Sequence, residues 1–193
     1  MKEKQVEYLN EIRSMAEELT QFQIEYWKAF SDFGIWQFWV VILMLIAPLI
    51  VLFLSIDKGK MLLLGFFGLN YHVWFAYVNA IGISLGLWEY PYQILPFLAG
   101  FALDASLIPV CYMLLYQWTL NHKKNIYLYA VLLSAILAFV LKPMMVNLHL
   151  FHMFKGINYI HLFLFYVAFF LVSKLITNLF VWLQQKETKV GKH

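Results

Sequence analysis

Apolar residues fill five long stretches of the chain after residue 34. The most strongly apolar of them, Ile35–Ser55, contains no charged residue. About 20 apolar residues in a helix, at about 1.5 Å per residue, match a bilayer hydrocarbon core of about 30 Å. The pattern therefore predicts an all-α, polytopic transmembrane helix bundle of about five spans. The predicted spans are 35–55, 61–84, 94–118, 126–148 and 158–183.

A different pattern precedes the spans. In residues 1–34, apolar side chains recur every three or four positions, which is the spacing of one helix face. They are Val6, Leu9, Ile12, Met15, Leu19, Phe22 and Tyr26. The segment holds seven acidic against four basic residues, so attraction to anionic lipid is not expected. We predict an amphipathic helix whose apolar stripe packs on the protein's own loops, on a second copy as a short coiled coil, or on another membrane protein.

The composition limits the function classes. The chain is 63% hydrophobic and 13% charged, whereas soluble domains are about a quarter charged. With 193 residues, little chain remains outside the spans, so a separate soluble catalytic domain is not expected. The basic residues behind the net charge of +3 are too dispersed for a nucleic-acid surface. Cys111 lies inside a span and is expected to pack as a small apolar residue. The polar first 30 residues do not resemble a cleavable signal peptide, so the first span is expected to stay as an anchor.

The lysines predict an orientation. Five crossings place the 57–60 turn, the 121–125 loop and the basic tail 185–193 on one side of the membrane. The lysines on that side are Lys58, Lys60, Lys123, Lys124, Lys186, Lys189 and Lys192. The other side has Lys28 and Lys155 close to the membrane. Because lysine and arginine concentrate in cytoplasmic loops, we expect the N-terminus outside and the C-terminus in the cytoplasm.

Three charged residues fall inside predicted spans. Asp104 is near the middle of the third span, while Lys142 and Lys174 lie beyond the middle of the fourth and fifth. A charge in hydrocarbon is costly and needs a partner, and a lysine side chain is long enough to reach the depth of Asp104. We therefore predict that Asp104 faces the bundle interior and pairs with at least one of the two lysines. A structural ion pair is the favoured interpretation, and a proton or ion relay is the alternative.

Polar residues give two further candidates. His72 and Asn79 are seven positions apart and share a helix face, which favours interhelical hydrogen bonding, with pore lining as the alternative. His149 and His152 would share a helix face near His161, and three imidazoles can ligate zinc. No HExxH motif or nearby acid accompanies them, so histidines at the headgroup level are the favoured interpretation. No metal or other cofactor is predicted.

One part of the chain resembles a known group. The segment 90–125 contains a proline-bearing apolar stretch that ends in an aliphatic-Tyr-Gln element at 115–117. A loop rich in histidine and aromatic residues, 149–166, leads into the last span. In these features residues 35–180 resemble small five-span membrane proteins of spore-forming Gram-positive bacteria. That loop tends to carry a tryptophan in the group, where this chain has Phe154 and Lys155. The resemblance implies the architecture and a bacterial plasma-membrane location, and it supplies no active site.

Motifs of common enzymes are missing from the sequence. It contains no GxSxG motif, no Walker loop, no cysteine-based site and no neighbouring carboxylates in a span. We therefore expect a non-enzymatic structural or assembly component of the bacterial plasma membrane. The alternative is a small oligomeric proton- or ion-coupled transporter that uses Asp104 with Lys142 or Lys174. An intramembrane enzyme acting on lipid through the histidines is the least favoured class.

The orientation leads to a labelling prediction. A cysteine placed at Lys123 or Lys189 should react with a membrane-impermeant reagent only after the cells are permeabilised, because both positions are expected in the cytoplasm. Labelling in intact cells would reverse the predicted orientation.

Overall fold

The computed structural model describes residues 2–31 and 33–190, with side chains up to residue 187. Lys189, Lys192 and the end of the predicted basic tail lie beyond the described side chains. The all-α prediction is confirmed. The helices are α1 Glu3–Phe30, α2 Trp36–Ser55, α3 Met61–Ser84, α4 Ile108–Asn121, α5 Ile126–Ile136, α6 Lys142–Asn147 and α7 Tyr159–Val190. Two short strands, β1 Trp88–Glu89 and β2 His152–Met153, pair antiparallel.

Four of the described helices are long and apolar enough to cross a membrane. They are Trp36–Ser55, Lys58–Ser84, Ile126–Asn147 and Tyr159–Glu187. These helices make the chain a multi-pass membrane protein.

The remaining predicted span, 94–118, differs from the pattern-based expectation. Helical structure begins only at Phe101, and it continues through a π-turn, Leu103–Leu107, into α4. Pro91 and Pro96 disfavour a helix in the preceding segment, and Gly100 has a φ of 77°, which a helix does not allow. As a result Asp104 lies near the start of a helix rather than at the middle of a span.

The bundle is a ring of four helices. α3 packs against α4 and α7, and α5 packs against the same two helices from the other side. α2 lies outside the ring, against α4 and its π-turn, and it buries Phe38 while leaving most of its surface to lipid. Five helical segments therefore run side by side, and four of them share one core.

Aromatic side chains fill the centre of the ring. Tyr71 of α3 stacks on Tyr112 of α4 with ring centroids 4.4 Å apart. Tyr112 shares a 2.6 Å hydrogen bond with Ser134 of α5, and its ring lies 6.1 Å from Phe170 of α7. One aromatic cluster thus joins all four helices, and such pairs add to the stabilisation from burial alone.

Two prolines accompany the π-turns. The second π-turn, Leu137–Leu141, joins α5 to α6. The N–H groups of Ile108 and Lys142 donate five residues back, and a proline follows each of them at positions 109 and 143. A proline has no N–H and therefore cannot donate to the carbonyl four residues before it. Because the regular helix bond at this position is already missing, widening the helix into a π-turn there breaks no further bond. The π-turns place Asp104 inside the first widening and Lys142 directly after the second.

The connections lie at two opposite ends of the bundle. At one end, Gln117 accepts from the Asp57 N–H at 2.7 Å and donates to the Ser55 carbonyl at 2.9 Å, which fixes the α2–α3 turn beside α4. At the other end, β1 pairs with β2, and Trp27 of α1 donates to the Gln93 carbonyl at 2.9 Å. The amphipathic helix therefore joins the bundle at the same end as the strand pair.

A tight contact between α3 and β1 generates a stability prediction. Gly82 of α3 lies so near Trp88 that a Cβ would overlap the indole, which a hydrogen bond to Asn79 holds in place. Gly82→Ala should lower the free energy of unfolding by about 1–3 kcal/mol through overpacking. Gly65, on the same helix, faces open space, so Gly65→Ala should change it by less than about 1 kcal/mol. Equal effects in detergent-micelle unfolding experiments would contradict this contact.

Candidate functional site

A buried polar network centres on Asn79 of α3. Its Nδ2 donates to Asp104 Oδ2 at 2.8 Å and to the Ala99 carbonyl at 3.3 Å. Its Oδ1 accepts from Trp88 Nε1 at 2.8 Å and from the Tyr90 hydroxyl at 3.1 Å. Asn79 is 4% exposed, and all the hydrogen-bonding capacity of its amide is used. The amide thus joins α3 to the π-turn of Asp104 and to the loop that carries β1.

Lys142 extends the network toward α6. The residue is 2% exposed, and its Nζ donates to the Tyr90 hydroxyl at 3.4 Å. The same Nζ lies 3.5 Å from the centroid of Phe151 and 5.1 Å from that of Tyr90. Aromatic faces attract cations, so these rings give the lysine head a favourable buried environment.

The predicted ion pair of Asp104 with a lysine is wrong as a direct contact. The ion pairs among the described residues are Asp57–Lys60 and Glu89–His152. Asn79 and Tyr90 instead stand between Asp104 and Lys142 and connect them by hydrogen bonds. The late helix start brings Asp104 to the end of the bundle where Lys142 lies, but the intervening amide prevents contact.

Lys174 belongs to a separate site on α7. Its Nζ donates to the Tyr116 hydroxyl at 2.9 Å and to Asn178 Oδ1, and it lies 4.6 Å from the Tyr116 ring centroid. The Asn178 contact spans one helical turn, as i and i+4 positions do. This lysine is therefore satisfied without a carboxylate and contributes nothing to the Asp104 network.

His72 forms a hydrogen bond with the backbone of Asp104, and Asn79 forms one with the side chain of the same residue. His72 Nδ1 lies 2.6 Å from the carbonyl oxygen of Asp104. A carbonyl oxygen can only accept, so Nδ1 must carry the hydrogen. Both α3 residues predicted to share a face thus form interhelical hydrogen bonds to the Asp104 segment. Asp104 Oδ1, in contrast, is buried and has no hydrogen-bond partner among the described residues.

A large cavity adjoins this part of the network. It has a volume of about 660 Å³ and lies between α3 and the segment 93–101. His72, Asn79 and Asp104 contribute polar surface to it, and most of its remaining lining is apolar. The combination of an apolar cavity with a few polar groups is typical of ligand sites.

The three histidines of the candidate zinc site, His149, His152 and His161, are arranged differently from the expectation. α6 ends at Asn147, and His149 has a φ of 57°, so His149 and His152 do not share a helix face. His152 Nδ1 instead lies 3.1 Å from Glu89 Oε1, and His161 Nδ1 accepts from the backbone N–H of Asn158 at 3.2 Å. Within the part of the chain that the structure describes, no three His, Cys, Asp or Glu residues are grouped to hold a metal ion.

Sequence reasoning missed several residues of the site. Trp88 and Tyr90 are buried hydrogen-bond donors to Asn79, and nothing in the sequence predicts either contact. Glu89 is the acid beside His152, 63 residues away in the chain. The strand pair that brings these residues together is two residues long on each side, too short to leave a periodic signal in the sequence.

No protein-family model, curated protein or solved structure matches this chain.

The network predicts a large cost for removing its central amide. Asn79→Ala leaves the Asp104 carboxylate, the Trp88 indole and the Tyr90 hydroxyl without their shared partner. Because unsatisfied buried polar groups are costly, we expect a loss of about 3 kcal/mol in the free energy of unfolding.

Asn70 on the same helix provides the matched control. Its Nδ2 donates to the Phe66 carbonyl one turn earlier at 2.8 Å, a local bond at a partly exposed position. Asn70→Ala should therefore cost less than about 1 kcal/mol. Thermal or denaturant unfolding in detergent micelles measures the free energy of unfolding of both variants. Similar losses of stability for the two variants would contradict the central role of Asn79 in the network.

Proposed function

We propose that this protein is a non-enzymatic, multi-pass component of the bacterial plasma membrane that assembles with further copies of itself through α1. The plasma-membrane location rests on the resemblance to the membrane proteins of spore-forming bacteria. The assembly role rests on one observation, the unpartnered apolar stripe of α1.

The stripe is exposed along its length. Within α1, all of whose residues are described, none is buried. The most exposed members of the predicted stripe are Ile12 at 60%, Met15 at 59%, Leu19 at 58% and Phe22 at 71%. Packing on the protein's own loops, one of the three predicted arrangements, is therefore absent over most of the helix. A contiguous apolar surface of this kind marks an interaction site.

The spacing of the stripe favours a second helix as its partner. From Ile12 to Tyr26 the apolar positions alternate at intervals of three and four, as positions a and d of a heptad do. A second copy offers the same seam, so a two-fold pair buries both stripes at once. A two-fold axis that runs along the seam and the membrane normal would pair the α1 helices of two copies inserted in the same orientation in parallel.

The charges beside the stripe agree with a parallel pair. Glu11, Glu18 and Glu25 are seven residues apart and flank the seam at position g. In a parallel pair the first two face Ala16 and Gln23 of the other copy, which carry no charge. In an antiparallel pair the glutamates would face one another, and like charges repel.

The attachment of α1 leaves the stripe accessible. Trp27 donates to the Gln93 carbonyl at 2.9 Å, at the C-terminal end of the helix. Partial burial, with smaller contributions from Tyr92 and Glu89, raises the pKa of Tyr26 at this same end. The described contacts of α1 with the bundle are concentrated in its last turns, where Phe22 and Tyr26 line a hollow shared with residues 89–96. The seam from Ile12 to Leu19 is therefore free to pair.

The transporter alternative has less support from the geometry. A proton moving between Asp104 and Lys142 along the hydrogen-bonded chain would have to pass through the amide of Asn79. Amides are poor proton carriers compared with carboxylates and imidazoles. The arrangement suits a structural network better than a relay.

The assembly proposal predicts that α1 seam variants dissociate the protein. Replacing Leu19 and Phe22 by Ser should shift the purified protein from a dimer to a monomer while leaving the bundle folded, because both residues are more than half exposed. Multi-angle light scattering in detergent measures the mass. The control, Glu17→Ser with Gln21→Ser, changes the opposite face of the helix and should leave the dimer intact.

Cross-linking tests the parallel register. In a Cys111→Ala background, Leu19→Cys should form an intermolecular disulfide in native membranes, because a parallel seam places the two positions 19 side by side. Glu17→Cys should not. An unchanged mass for the seam variant, or equal cross-linking at both positions, would overturn self-assembly through α1. If a different protein co-purifies instead of a second copy, the partner of the stripe is another membrane protein.

A further inference from the structure

We infer that the cavity beside Asp104 binds an amphiphilic ammonium, a molecule with an apolar body and a protonated amine that donates to the Asp104 carboxylate. This site is distinct from the α1 seam. It is carried by the cavity, by the unpartnered carboxylate oxygen and by the aromatic lining.

The cavity has the size and position for such a molecule. Its volume of about 660 Å³ falls within the range of about 300–1,000 Å³ usual for small-molecule pockets. One wall is the second half of α3, from His72 to Ser84, so the cavity runs from the middle of that span toward the end where α1 joins. Tyr77 and Phe97 line it and are 66% and 60% exposed, so the cavity opens toward the lipid. A molecule dissolved in the bilayer can enter from the side.

Asp104 supplies the anionic group. The residue lines the cavity and is 7% exposed, with Oδ2 bonded to Asn79. Oδ1 has no partner and is buried, so the carboxyl group must turn slightly to present it to the amine. A carboxylate oxygen accepts hydrogen bonds, and a charged N–H donor forms a stronger one than a neutral donor. Lys142 lies on the other side of Asn79 and Tyr90 and is already bonded there. The described residues that line the cavity include no lysine or arginine.

The rest of the lining suits an ammonium and disfavours an anion. Tyr77, Phe97 and Phe101 offer aromatic surface, which binds apolar groups and attracts cations. His72 commits Nδ1–H to the Asp104 carbonyl, which leaves Nε2 as the ring nitrogen that can accept from a ligand. An ammonium has three N–H donors to share between these two acceptors. A carboxylate or phosphate would find an acceptor-rich site without a basic side chain.

Three probes of similar shape test whether the site recognises charge. We would measure binding of 1-naphthylmethylammonium, 1-naphthylmethanol and 1-naphthylacetate to the full chain in phosphatidylcholine nanodiscs by calorimetry, with empty nanodiscs as the blank. The ammonium should bind at least about tenfold more tightly than the alcohol, as expected for a charged hydrogen bond in a site shielded from water. The acetate should bind most weakly. Equal affinities for the three, or no binding above the blank, would overturn the proposal.

Variants locate the binding. Asp104→Asn should weaken ammonium binding by about tenfold or more and leave alcohol binding unchanged. Asp57→Asn is the control for Asp104→Asn, because the Asp57 carboxylate lies outside the cavity. This variant should bind the ammonium as tightly as the unchanged protein does. Ala76→Phe fills the cavity without altering Asp104 and should abolish binding of both probes, whereas Ala168→Phe on exposed α7 surface should not. If Asp104→Asn does not fold, the comparison of Ala76→Phe with Ala168→Phe tests the location of the site. Full ammonium binding by Ala76→Phe would contradict a site in this cavity.

Phosphatidylethanolamine distinguishes two sources of the ammonium. If nanodiscs containing this lipid weaken probe binding in competition, the natural ligand class includes a lipid amine. If they do not, the site takes a free amphiphilic amine without a phosphate. Either result supports the ammonium assignment, which the probe series and the variants can overturn.

Discussion

The amide of Asn79 is the interaction on which the described bundle most depends. It bonds Asp104, Trp88, Tyr90 and the Ala99 carbonyl, so one side chain ties α3 to the loop and to the π-turn that follows it. Inside a membrane no bulk water can replace these bonds, and each unsatisfied group would be costly. The tight contact of Trp88 with Gly82 and the placement of Tyr90 beside Lys142 both follow from where this amide lies. Buried polar networks confer specificity only when every member is satisfied, and Asp104 Oδ1 is the exception here.

Much of the fold followed from the hydrophobic pattern, and the site followed only in part. Runs of apolar residues predict helices well because each run must bury its backbone bonds in lipid, and the exposed stripe of α1 was readable from its spacing. The hydrophobic pattern did not predict where the third helical segment begins, because residues 94–100 are as apolar as a span. In the structure, Pro96 and Gly100 prevent a helix there despite that pattern. Asp104, Lys142, His72 and Asn79 were identified as intramembrane polar residues because such residues are costly there. Their partners were not identified, since Trp88 and Phe151 come from loops whose folding depends on long-range pairing.

The two buried lysines show how a helix bundle can hold a basic side chain without a carboxylate. Lys142 lies over Phe151 and donates to Tyr90, and Lys174 lies over Tyr116 and donates to its hydroxyl. An aromatic face supplies electrostatic attraction without introducing a second charge that itself has to be desolvated. Because the chain is rich in aromatic residues, rings rather than a carboxylate accompany the buried lysines, and Asp104 lies apart from them. That separation leaves Asp104 with one oxygen for a ligand, whereas a direct ion pair would have occupied it.

The seam of α1 and the cavity meet at one residue. Gln23 lies beside the apolar seam and also lines both the large cavity and the smaller hollow under α1, and Gln93 and Pro96 line the same two spaces. Two sites influence each other only through contacts that differ between their states. Gln23 is the α1 residue that lines the large cavity, and the seam residues Phe22 and Tyr26 line the smaller hollow beside it. Any coupling between assembly and binding acts through these contacts and the Trp27 bond. A partly buried hydrogen bond such as that of Trp27 is worth about 1 kcal/mol, which is enough to bias the docking of a helix and too little to drive the assembly itself. The apolar seam must therefore supply most of the free energy of pairing, and the cavity can adjust it.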